Sequence, residues 1–75
     1  MSKLPRDLSG RDVRAALEKN GFIFRRQRGS HMVLRRDDPP ARVVVPDHRF
    51  IRAGTLRQII ADASLTVDEF LRLLN

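Results

Sequence analysis

The chain of 75 residues has no cysteine, no tryptophan and no tyrosine, and its aromatic content is four phenylalanines. Without thiols there is neither a disulfide framework nor a thiolate zinc site. No stretch approaches the ~20 apolar residues of a membrane span, and Met1 to Asp7 lacks the apolar core of a secretory leader, so a cytoplasmic protein without membrane contact is expected. Histidine is scarce too, present only as His31 and His48.

What the chain does have is positive charge. Lys and Arg number 15 against 9 Asp and Glu, a formal net charge of +6. The excess is local: Met1 to Phe24 nets +2, Arg25 to Arg52 nets +5, and Ala53 to Asn75 nets −1. Such a concentration attracts a polyanion through counterion release and steering, although a basic surface can equally dock an acidic protein. The middle segment also holds both histidines, and Gly29-Ser30-His31 lies between Arg25-Arg26-Gln27-Arg28 and Arg35-Arg36. A proton-transfer group set among arginines points to chemistry on phosphates.

The length allows one domain, residues 1–75 with a core of 9–74, and a domain of this size buries only about 60% of its unfolded surface. A deep enclosed site is not expected. Ser9 with Asp12 three residues on, and Leu8 with Val13, form an N-cap and staple, predicting a helix from Ser9 to Asn20 that buries Val13, Ala16 and Leu17. Phe22 to Gln27 and Ser30 to Arg35 read as strands joined at Arg28-Gly29. Asp37-Asp38-Pro39-Pro40 marks a second turn and Ala41 to Val45 a third strand. Alternation places Ser30, Met32 and Leu34 on one face of the second strand and His31, Val33 and Arg35 on the other, with His31 near the strand start on a sheet edge or rim. Thr55 caps a further helix bearing Leu56, Ile59, Ile60 and Ala63, and Thr66 to Glu69 is a capping box opening a last short helix. The expected fold is α+β, in the order α-β-β-β-α(-α), a three-stranded antiparallel sheet with its helices on one face.

Four blocks, Asn20-Gly21-Phe22, Arg26 to His31, Val45-Pro46-Asp47-His48 and Ala53 to Ile60, resemble in kind and order the HicA family of toxin ribonucleases. The likeness runs from about Ser9 to Leu74. It implies a fold similar to a double-stranded-RNA-binding domain and a messenger-RNA endonuclease that blocks translation and is restrained by a HicB-like antitoxin. It carries the catalytic histidine onto His31, with Gly29 and Ser30 as its motif neighbours. The chain departs from the commoner pattern at Leu34, where an aromatic is frequent, and in a longer tail from Thr66 to Asn75.

The chemistry of the residues is compatible with that likeness. An imidazole with an ordinary pKa near ~6.5 can remove a proton from a ribose 2′-hydroxyl or return one to a leaving oxygen at neutral pH, and RNA carries its own nucleophile. Arg25, Arg26, Arg28, Arg35, Arg36 and Arg42 are the candidates for holding phosphates, and Arg26, Arg28 or Arg35 has the reach to stabilise the phosphorane with forked donors. No cofactor and no metal is expected: Asp37, Asp38 and Asp47 could be read as a carboxylate cluster for magnesium, but turn chemistry explains the first two and no glutamate joins them. His48 is a secondary candidate, a leaving-group donor or phosphate contact, or simply a solvated loop residue. Two other classes remain open: a basic RNA-binding module without catalysis, and a basic adaptor for an acidic protein.

Overall fold

The computed structural model describes residues 3–74. Its elements are α1 (Gly10–Lys19), β1 (Ile23–Arg28), β2 (His31–Asp37), β3 (Pro40–Pro46), α2 (Ala53–Asp62) and α3 (Val67–Leu73). The strands form one antiparallel sheet in the order β1-β2-β3, so the α-β-β-β-α-α order and α+β class read from the sequence stand.

Two of the helix starts follow from side-chain chemistry. Ser9 accepts from the Asp12 amide while the Asp12 carboxylate accepts from the Ser9 amide, and Thr66 and Glu69 repeat the same reciprocal box at α3. Each satisfies two amides that a helix start leaves without intrahelical acceptors. The start of α2 differs from expectation. Its N-cap is Arg52, with no side-chain bond, and Thr55 lies inside the first turn. The entry is fixed instead by the chain before it, where Ile51 is buried and its amide donates to Leu8 O at 2.8 Å.

The first hairpin turns on Gly29-Ser30, one residue later than expected, with Gly29 at φ +56°. A Cβ at Gly29 would meet nothing within 4 Å, so the glycine serves the backbone angle and not a tight space. One face of the sheet carries Met32, Leu34, Val43 and Val45 into a core with Val13, Leu17, Leu56, Ile59, Ile60 and Phe70. At roughly 1.5–3 kcal/mol per fully buried side chain, this layer is what holds three short helices to three short strands. Leu34 belongs to that core, so the aliphatic residue at this position bears on packing and not on stacking with nucleic acid.

Of the four glycines, Gly10 stands where the backbone comes closest to another segment. A Cβ there would stand 1.9 Å from Pro46 O, and the Gly10 amide donates to His48 O at 2.8 Å. The first residue of α1 is thus in contact with the end of β3, and that junction fixes the loop carrying Asp47 and His48.

Candidate active site

The opposite face of the sheet carries no helix, and the strand register lays out its side chains in rows. His31 lies across from Arg28 on β1 and from Pro46 on β3; Val33 lies across from Arg26 and Val44; Arg35 lies across from Ile23 and Arg42. Directly opposed residues in an antiparallel pair point to the same side at roughly 4.5–5.5 Å, so Arg28, His31 and Pro46 form one end row of this face.

Simple alternation would turn Arg25 away from Arg26. The pairing slips between Phe24 and Arg26, which leaves Arg25 as an extra residue in β1. A bulge of this kind re-aims a side chain, and here Arg25 and Arg26 both line one shallow depression of about 360 Å³ with Val33, Arg35 and Arg42. Among the described residues no acceptor engages Arg25, Arg26, Arg28 or Arg42, and Arg35 has only a solvent-exposed approach to Asp37 at 3.8 Å. Such a contact in water is worth little. The guanidinium groups are open to an external anion.

Arg36 is the exception, and the expectation that it binds phosphate is corrected. It is only 6% exposed. Its guanidinium donates to Asn20 Oδ1, to Ala63 O at 3.0 Å and to Pro39 O at 2.8 Å, and lies over the Phe22 ring with 4.6 Å to the centroid. Those acceptors include the caps of α1 and α2, where carbonyls are left over and a cation is favoured. Alternation carried the signal for this: Arg36 continues the Met32 and Leu34 face.

His31 is exposed at the first position of β2. β2 is the central strand, so the histidine sits at the rim of the sheet and not on an edge strand. Its turn is tied from outside by Asp47. The Asp47 amide donates to Ser30 O at 2.6 Å, and its carboxylate accepts from Gln27 Nε2 at 3.0 Å and from Arg11 Nε at 3.3 Å. Gln27 Nε2 also donates to Gly29 O at 3.0 Å. The bonds from Arg11 and then Gln27 hold the Asp47 carboxyl below the ordinary aspartate range. Asp47 and Gln27 stand in the family blocks, but the sequence reading did not pair them, because a bond between residues 20 apart leaves no local pattern.

His48 does not join His31. Its carbonyl is taken by Gly10, and its side chain lines a second depression of about 280 Å³ with Pro46, Phe50, Ile51, Arg52 and Thr55. Among the described residues no group of three histidines, aspartates or glutamates could hold a metal ion, and no helix is long and apolar enough to cross a membrane.

The fold and face together define a small α+β protein whose bare sheet surface presents a rim histidine beside uncommitted arginines. The description "HicA toxin of bacterial toxin-antitoxin" matches residues 10–65, most of the chain and all of the face just described. The chain belongs to the HicA toxin family and is the toxin side of a toxin–antitoxin pair. In a comparison with curated proteins, none matches the chain.

Proposed function

We propose that the protein is an endoribonuclease that cleaves messenger RNA by metal-independent transesterification, with His31 as general base and acid, and that a HicB-like antitoxin restrains it in the cytoplasm. The observation that carries this reading is the end row Arg28–His31–Pro46 adjoining a depression lined by Arg25, Arg26, Arg35 and Arg42 on a face without helices. Family membership supports the toxin role.

In this mechanism the arginines hold the RNA phosphates, Arg28 or Arg26 stands beside the scissile one, and His31 takes the proton from the adjacent 2′-hydroxyl. The 2′-oxygen forms a bond to phosphorus while the bond to the 5′-oxygen breaks, leaving a 2′,3′-cyclic phosphate. The leaving oxygen takes a proton from solvent or from His31 after its turnover as base. Arginine forks offset the charge that builds on the phosphorane oxygens.

The test is digestion of a single-stranded RNA by the purified chain in the presence of EDTA, beside the same sequence as DNA. RNA is cut and DNA is bound but intact, because only RNA has the attacking hydroxyl. His31→Ala lowers the cleavage rate by about 10²- to 10⁴-fold, the range of general acid–base catalysis, while RNA affinity persists. Cleavage that EDTA abolishes, or cutting of the DNA, overturns the mechanism. A wild-type chain that binds RNA and never cuts it is a binding module instead.

A further inference from the structure

Phe50 is 61% exposed, whereas Phe22 and Phe70 are buried and Phe24 is half-buried beneath Arg14, whose guanidinium lies 4.0 Å from the ring centroid. Among the described residues the exposed large apolar side chains are Phe50 and Ile23, and of the two only Phe50 offers a π-face on which a base can stack. The loop is fixed on both sides of it: His48 O accepts from Gly10, and Ile51 is buried with its amide on Leu8 O. The ring borders the depression of about 280 Å³ lined also by Pro46, His48, Arg52 and Thr55. From His48 to Ala61 the chain has Arg49, Arg52 and Arg57 and no carboxylate. Pro46 is shared, since it is a wall of this depression and the residue directly across from His31.

We propose that this depression is a stacking subsite for one unpaired nucleotide of the RNA, next to the nucleotide whose phosphate lies at His31; the proposal rests on the RNA-cleaving reading above. The base lies on the Phe50 ring, and Arg52, which lines the depression, faces its phosphate. Rings that accept a base by stacking beside cations that track the backbone are the recurring means of holding single strands, and they work for any base because each has a π-face. The strand then runs from the arginine depression past His31 and over Pro46 to Phe50. A duplex does not fit this arrangement, because its bases are not free to stack on a side chain.

The experiment uses the His31→Ala chain, so that the probe survives, and a short single-stranded oligoribonucleotide. Phe50→Ala weakens binding by about five- to a hundredfold, the range for loss of one stacked base, without changing the slope of affinity against salt. Because the chain has no tryptophan, the indole introduced by Phe50→Trp is a lone fluorophore; it keeps the affinity within about threefold and is quenched when the oligonucleotide stacks on it. Since Phe50 lies outside the core, both variants keep the parent's unfolding midpoint. Unchanged affinity in Phe50→Ala with no quenching in Phe50→Trp sinks the subsite alone, the RNA reading standing on retained binding of the parent. Phe50→Ala that binds RNA normally and loses the antitoxin assigns the ring to the protein partner and also overturns the proposal. A parent chain with no affinity for RNA removes the reading beneath it.

Discussion

Asp47 and Gln27 lie 20 residues apart and meet through a 3.0 Å hydrogen bond that ties the end of β1 to the loop after β3. With the Asp47 amide on Ser30 O and Gln27 on Gly29 O, three bonds surround the turn from which His31 emerges. Small displacements of a catalytic group are costly, and a shift near 1 Å can lower a rate about a hundredfold. Asp47→Asn, which keeps the shape and weakens the acceptor, lowers the RNA cleavage rate by on the order of tenfold with little change in RNA affinity. Rate and binding titration on the same substrate check it.

The same residue gives an acid dependence. Hydrogen bonds from Arg11 and Gln27 lower the Asp47 pKa from 3.8. A carboxyl whose folded pKa is depressed contributes stability that is present above the unfolded value and is lost as pH falls through the folded one. The stability difference between wild type and Asp47→Asn is therefore full at pH 6 and shrinks as pH falls below 3.8. Urea unfolding of the two chains at pH 6 and at about pH 3 measures the gap.

Arg36→Ala acts through the core and not through RNA. Truncation leaves Ala63 O, Pro39 O and Asn20 Oδ1 without their donor and uncovers the Phe22 ring. With hydrogen bonds to a charged group at about 1.5–3 kcal/mol each and partial rescue by water, the expected loss is roughly 2–4 kcal/mol, a large share of a small domain's stability. Arg36→Lys does not restore it, since a point ammonium cannot reproduce a planar fork on three acceptors. Chemical denaturation gives the difference.

Arg36 also shows what was legible in the chain and what was not. Elements whose cause is local were readable: the Ser9 and Thr66 boxes, the apolar period of α2, and the alternation that sends His31, Val33 and Arg35 to one face. Extended to residue 36, that alternation places the arginine in the core, yet its charge suggested a surface. Features made by tertiary contact left little trace. The Arg25 bulge turns a side chain against the simple period, the start of α2 is set by Ile51 on Leu8 and not by Thr55, and the Asp47 bonds join distant segments. For the site, His31 and four of the arginines could be grouped from charge and turn chemistry, while the separation of His48 into its own depression with Phe50 depended on the turn after β3.

Gly10→Ala tests the junction behind the site. In an ordinary helix this change is favourable by about 1 kcal/mol. Here the new Cβ would stand 1.9 Å from Pro46 O, a backbone atom that yields only if the end of β3 moves. The substitution therefore destabilises, by roughly 1–3 kcal/mol as for other overpacked positions. It also displaces the loop that carries Asp47, so cleavage falls even at temperatures where the chain stays folded. The urea midpoint and the rate at low temperature separate the two effects.

The arginine face makes its own prediction through salt. Each phosphate neutralised on a single strand releases counterions and adds about 0.7 to the slope of log affinity against log salt. Arg26 and Arg42 line the depression beside Val33 from opposite edge strands, and among the described residues neither has an acceptor of its own. Removing either charge therefore costs no internal bond. Arg26→Gln and Arg42→Gln should each flatten the slope by about 0.7 and weaken binding similarly for every RNA sequence, because a phosphate contact carries no base information. Replacing Arg72, on α3, is the control for a general change in net charge. If Arg72→Gln flattens the slope as much as Arg26→Gln does, the RNA is answering the overall field of the protein, and the face beside His31 is not where it lies.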